Sequence, residues 1–293
     1  MNKFDINQFR AEDWYCLGEK LENRSKRIKC FENAVRMDPN HGLSWHYLGV
    51  LYNTGKNYTM SDFCNNKAEQ AYLLNLQRYQ RHISREEWEL ESKKNENNNP
   101  EKLEFPKHVY DMISDIDSKI DYIIENLGRL YYNMGKLEKA IECYSKLIEE
   151  YPNWIHAHFE RGNLYYLFGK KHDAISDLRF VIEEQTTDYK SYFILGKCYE
   201  ELDLIDRAFW YYNKCVSSTL KFSLDDDAIL YRGKANYQLT NFKECLVDAE
   251  KILRQNPKNY DFLKLKAEAH LALGQNKHAS KCFKKIYRNT NYK

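Results

Sequence analysis

Proline is scarce, with five in 293 residues, and glycine is held to eleven. That scarcity excludes collagen-like and Pro/Gly-rich disordered chains. Nothing approaches the ~18 consecutive apolar residues that a membrane-spanning helix needs, so none is expected. The opening residues, MNKFDINQFR, lack the apolar stretch of a secretory leader. Charge of either sign is not in excess: 45 Lys+Arg face 43 Asp+Glu, a net of +2, where a dedicated nucleic-acid binder carries a clear basic surplus. Eight cysteines are present without a single CxxC pair, the closest two being Cys16 and Cys30. This spacing disfavours both a disulfide framework and a zinc site, and points to reduced thiols and a cytoplasmic location. No GxGxxG, phosphate loop, HExxH or GxSxG is found, so no enzyme, cofactor or metal is expected. His156 and His158 are two apart on a helical stretch and point to different faces, a poor metal pair. The Asp225–Asp227 run reads as a helix cap rather than a calcium cluster.

What is present is a period. Six glycines, Gly18, Gly49, Gly128, Gly162, Gly196 and Gly233, sit inside helical patterns, the later ones separated by 34, 34 and 37 residues. A helix-interior Gly costs about 1 kcal/mol relative to Ala. Its recurrence therefore implies a neighbouring helix that tolerates no side chain there. Gly55, Gly135, Gly169 and Gly274 each follow a helical stretch, where a left-handed residue ends the helix. Pro39, Pro152 and Pro257 close units in MDPN, EYPN and QNPKN. Apolar residues follow helical spacing: Ile124, Leu127, Gly128 and Tyr131 share one face, then Ala140, Tyr144, Leu147 and Ile148 another. The unit is a helix–turn–helix of about 34 residues, and nothing alternates as a strand does.

These residues resemble the tetratricopeptide repeat. Its pattern places a large residue at position 4, Leu-Gly at 7 and 8, Tyr at 11, Ala at 20, an aromatic at 24, an aliphatic or Ala at 27 and Pro at 32. Residues 121–153 fit throughout, with Ile124, Leu127-Gly128, Tyr131, Ala140, Tyr144, Leu147 and Pro152. Four further units follow. Upstream, Trp14, Leu17-Gly18, Phe31, Ala34 and Pro39 form a first unit, and Trp45, Leu48-Gly49 and Tyr52 begin a second whose second helix has no clear place. The resemblance implies an all-α, right-handed superhelical solenoid of about seven hairpins. Residues 1–60 are assigned to irregular N-terminal units, 61–117 to a helical insertion with an Asn-rich loop, and 118–293 to five regular units ending in a basic amphipathic cap helix. In that last helix Ala279, Phe283, Ile286 and Tyr287 are expected to face inward and the lysines outward. Within the insertion, Ser84 and Glu87 are spaced as a capping box. NENNNPEKLEFP is expected to be a mobile loop. Tyr79 and Trp88 are candidate contact residues of an arm, and helix is expected to resume near Lys107.

The resemblance further implies that first helices line a concave groove. Its candidate ligand-binding residues are Tyr122, Arg129, Tyr132, His156, Phe159, Asn163, Tyr166, Lys190, Phe193, Lys197, Lys234 and Tyr237. Arg129, Asn163, Lys197 and Lys234 form a ladder of donors at position 9, flanked by aromatics. Such a set suits an extended peptide, with polar donors for its backbone and carboxylates and rings for its anchors. The carboxylate clamp of co-chaperone repeats is not supported. Starting from Asn163, its other positions would be Phe159, Ile194, Asp227 and Tyr231. The expected function is therefore a non-catalytic adaptor or scaffold for another protein. Two alternatives remain open: RNA binding through the basic last helix, and self-association.

Overall fold

The computed structural model describes residues 9–96, 107–220 and 225–291, with the side chains of 82–96, 107–114 and 289–291 left aside. Among the described residues there are fourteen helices and no strand. In chain order they are α1 (Ala11–Lys20), α2 (Arg24–Met37), α3 (Gly42–Thr54), α4 (Tyr58–Glu96), α5 (Lys107–Asn133), α6 (Leu137–Glu150), α7 (Ile155–Leu167), α8 (Lys171–Glu184), α9 (Tyr189–Glu201), α10 (Ile205–Thr219), α11 (Asp226–Gln238), α12 (Phe242–Gln255), α13 (Tyr260–Ala272) and α14 (Asn276–Asn291). Consecutive pairs form seven antiparallel hairpins, the all-α repeat architecture expected. Two compact units are present, Met1–Pro152 with three hairpins and Asn153–Lys293 with four.

Six of the seven hairpins, all but the first, close on the same device. The residue at position 15 of the repeat adopts a left-handed backbone: Lys56, Gly135, Gly169, Asp203, Thr240 and Gly274. The next amide then donates back to a carbonyl five residues earlier, as in Lys170 N to Tyr165 O (2.8 Å) and Asn241 N to Asn236 O (2.8 Å). In the second hairpin the expectation that Gly55 takes this role is corrected. Gly55 has φ −87° and Lys56 is left-handed. Gly55 is small for another reason, because the Arg24 guanidinium crosses it to donate to Leu51 O at 2.6 and 3.1 Å.

The helix-interior glycines make room chiefly for the second helix of their own hairpin. A Cβ on Gly128 would lie 2.8 Å from the Tyr144 ring, and one on Gly162 2.9 Å from Leu178. Position 24 thus plugs into position 8, and Tyr144, Leu178 and Tyr212 are all fully buried. Each such side chain contributes roughly 1.5–3 kcal/mol by leaving water. Gly233 differs, since the residue against it is Leu265 of the next hairpin.

In the first unit, Tyr15, Phe31, Val35, Leu48, Leu51 and Cys64 share one core. Here the second helix of the second hairpin finds its place. It is the start of α4, which buries Ser61, Cys64, Asn65, Ala68, Ala71 and Tyr72. Ser61 Oγ donates to Gly49 O (2.9 Å), so a polar bond stands where an Ala normally packs. α4 then runs unbroken to Glu96, and the capping box expected at Ser84 and Glu87 starts no helix. Helix resumes at Lys107 as expected, and α5 continues into the third hairpin. Residues 97–106 of the Asn-rich segment and the side chain of Trp88 lie outside the described residues, while Tyr79 is half-buried.

In the second unit, one core joins Leu178, Leu195, Cys198, Tyr212 and Cys215, and another joins Ile229, Ala249, Ile252, Phe262 and Leu265. Two hairpins carry Arg rather than Leu before the helix glycine. Arg161 holds Asp177 through two bonds of 2.8 Å, and His158 Nδ1 lies 2.9 Å from the same carboxylate. Arg232 holds Asp248 in the same way, at 2.5 and 3.0 Å. Both carboxylates are buried, and a bidentate partner is what makes that burial tolerable. Asp225 accepts from Asp227 N (2.9 Å), which makes the acidic run the cap of α11.

Candidate functional site

The first helices of the second unit, α7, α9 and α11, present the candidate residues named above. His156, Phe159 and Lys190 come together. With Val181, Gln185 and Asp188 they line a pocket of about 230 Å³ between α7, the end of α8 and the start of α9. His156 is exposed, and its Nε2 lies 3.9 Å from Glu160. Lys190 pairs with Asp227 at 2.5 Å and stands 5.9 Å from the rings of both Tyr189 and Tyr231. Burial works against its charge, but the Asp227 carboxylate outweighs that and holds its pKa above the ordinary lysine value.

Above the pocket the aromatics are committed to packing. Phe193 lies 5.7 Å from Tyr212 and edge-on to Tyr231 at 5.5 Å. Tyr166 donates to Glu201 (3.1 Å) and is half-buried. Burial, with that carboxylate adding to it, pushes its phenol well above the usual range. Tyr237 packs edge-on against Phe242 at 5.4 Å, away from the others.

The donor ladder divides. Lys197 is paired with Glu200 at 2.7 Å, and Glu200 also accepts from Tyr212 (2.6 Å). Lys234 has no carboxylate partner among the described residues and stands 4.9 Å over the Tyr231 ring. Asn163 is half-buried and its amide makes no hydrogen bond among the described residues. Asn163 and Lys234 are therefore the donors left uncommitted on this face. Ile194, which the carboxylate clamp would need as a polar residue, is buried in the core.

In the first unit, α5 carries Tyr122, Arg129 and Tyr132, all exposed. Arg129 has no ion pair among the described residues. Its charge and, above all, burial push the pKa of His46 down to about 4, the larger cause being burial. His46 Nε2 accepts from Asn133 Nδ2 at 2.9 Å, while Nδ1 is buried with no hydrogen-bond partner among the described residues. Glu69 on α4 gathers Lys136 (3.1 Å) and Lys139 (3.6 Å).

Comparison with known proteins decides the family. Models of the tetratricopeptide repeat match residues 128–169 and 189–221. The chain carries tetratricopeptide repeats. Among solved structures it is similar to a tetratricopeptide repeat protein from Parabacteroides merdae ATCC 43184, with 16% identity over 95% of this chain and 92% of that one, at a TM-score of 0.53. It is also similar to PilW, a widely conserved type IV pilus biogenesis factor (14% identity, 86% of this chain and 96% of that one, TM-score 0.50). A third is a thermophilic repeat protein of Thermus thermophilus (16% identity, 58% and 91%, TM-score 0.50). At such identities the likeness is one of fold. No curated protein sequence matches the chain significantly.

The paired Arg and Asp of the fourth and sixth hairpins were not read as partners in the sequence. Their signal was there: Arg at position 7 with Asp sixteen residues on, twice. All eight cysteines are free and six are buried. Burial raises those thiols, Cys64 to about 11 and Cys198 to about 12, which keeps them unreactive. No helix among the described residues is long and apolar enough to cross a membrane.

Proposed function

We propose that this repeat protein is a non-catalytic adaptor or assembly scaffold, and that it holds a segment of a partner protein along the first-helix face. The buried, high-pKa thiols fit a reducing, cytoplasmic setting. The observation that carries the reading is the pocket shared by His156, Phe159 and Lys190, with the uncommitted Asn163 on α7 and Lys234 on α11 at further candidate positions. A pocket of this size accepts one apolar anchor side chain. The free amide and ammonium would serve the backbone and a carboxylate of the bound segment. Tyr122, Arg129 and Tyr132 are the corresponding candidates of the first unit, and Lys197 and Tyr237 are secondary because their contacts are internal.

The test is capture from cell extract on wild type and on Asn163→Ala/Lys234→Glu in parallel, identified by mass spectrometry. A protein retained by wild type and lost from the variant supports the reading. Equal recovery on both removes this face as the site. Binding of the captured protein should fall only shallowly with salt, because phosphate-driven binding falls steeply, with a slope near about −0.7 to −0.9 per neutralised phosphate.

A further inference from the structure

The last hairpin breaks a rule that the rest of the second unit obeys. Within it, α8 is covered by α9, α10 by α11 and α12 by α13. Position 24 of those second helices is accordingly sealed: Leu178, Tyr212 and Ala249 are at most 1% exposed. Position 28, held by Ile182, Val216 and Leu253, is half-buried. On α14 no further helix follows among the described residues. The same two positions are Phe283, 43% exposed, and Tyr287, 69% exposed. The expectation that both face inward is thereby corrected. They satisfy the repeat pattern, but no helix among the described residues covers them. Ala279 and Cys282 do bury against α13.

The uncovered surface is a concavity of about 530 Å³ lined chiefly by Leu271, Ala279, Phe283 and Tyr287, with Lys284 and Arg288 on its edge. Phe283 and Tyr287 stand one turn apart, and Lys284 and Arg288 follow each by one residue, so an apolar stripe runs beside a cationic one. The charge is one-sided. From Ala269 onward the chain has six Lys/Arg and no Asp or Glu. Lys277, Lys281, Lys284, Lys285 and Arg288 make no ion pair among the described residues.

We infer that this end face is a docking site for an acidic amphipathic helix of a partner protein. Its shape is the one that receives α9, α11 and α13 elsewhere in the unit, each a helix of 13 residues, so the occupant is helical and about that long. Its apolar stripe must match Leu271, Phe283 and Tyr287, and its flank must carry Asp and Glu to meet Lys284 and Arg288. An RNA strand would need the cations but would leave the aliphatic floor uncovered. This surface is separate from the pocket at His156, so either site can fail without the other.

The experiment selects a phage-displayed library of amphipathic helices, about 20 residues long, on the immobilised full chain. Enriched peptides should carry apolar residues at i, i+3 or i+4 and i+7, with Asp and Glu beside them. Their affinity should fall about tenfold or more with Phe283→Ser, and similarly with Lys284→Glu/Arg288→Glu, while Lys243→Glu, at an exposed position of α12 outside both sites, leaves it unchanged. The charge variant alters two exposed side chains, so it decides the matter even where Phe283→Ser disturbs the fold, which circular dichroism reports. No enrichment, enriched peptides without acidic flanks, or indifference to both variants overturns the inference. So does displacement of the peptides by an oligouridine whose own binding ignores Phe283→Ser, which makes the face a phosphate site. A solution mass near twice 35.2 kDa that Phe283→Ser abolishes also overturns it, since the occupant is then a second copy.

Discussion

Acidification from about pH 7 to about pH 5 puts His46 under load, because its ordinary pKa of 6.5 falls to about 4 in the folded first unit. Burial is the larger cause and the Arg129 charge the smaller. The hydrogen bonding agrees. Nε2 already accepts from Asn133, so the proton taken up there would set one donor against another, and Nδ1–H has no acceptor among the described residues to steady the charged ring. The sign follows from proton uptake. Between the two pKa values the unfolded chain holds the proton and the folded chain does not, so stability falls as pH falls through that window. The linkage integral gives a loss of about 2 kcal/mol at pH 5 and about 3 kcal/mol near pH 4. Other groups titrate over this range, so the measurement is a difference. Urea unfolding of wild type and of His46→Gln is followed at both pH values, with the His46 ring titrated by NMR. Wild type should lose about 2 kcal/mol more than the variant on acidification. A native His46 titrating near 6.5, or equal losses in the two proteins, refutes the reasoning.

Two further predictions concern stability. Asp177→Ala removes the buried carboxylate that Arg161 and His158 share, and should cost the second unit roughly 3–5 kcal/mol, as should Asp248→Ala through Arg232; losses under about 1 kcal/mol by urea titration would show that these pairs are not structural. Thr240 holds φ +63° with a β-branched side chain, so Thr240→Gly should stabilise by about 1 kcal/mol, and an unchanged or lowered unfolding midpoint would contradict the strain.

Much of the fold was legible because the repeat writes its packing into side-chain size. Gly128 and Tyr144, or Gly162 and Leu178, are a hole and a plug on the two helices of one hairpin, and both halves are visible in sequence. The second helix of the second hairpin was not legible for the same reason. Ser61 and Asn65 stand where a small apolar residue and a large plug belong: Ser61 bonds to Gly49 O, and Asn65 rather than a large apolar side chain packs over Gly49. The end face was misread because a local pattern states which residues want cover, not whether a following helix supplies it. Phe283 matches the repeat as well as Tyr212 does, yet Tyr212 is sealed and Phe283 is open. At the candidate site, periodicity placed His156, Phe159 and Lys190 on first helices, and the structure sets the three around one pocket. That Lys197 pairs with Glu200 was open to the same spacing rule, since the two are i, i+3 on α9; that Glu200 also takes the Tyr212 hydroxyl of α10 was not.

Photo-crosslinking tests the central proposal most directly. A benzophenone amino acid replaces Phe159 or Tyr166 on the first-helix face, and Trp210, an exposed residue of the second helix α10, serves as the control position. The protein captured from extract should crosslink from positions 159 and 166 and not from 210. Crosslinking from position 210 alone, or from none of the three while the protein is still retained, would contradict the assignment of this face as the binding surface.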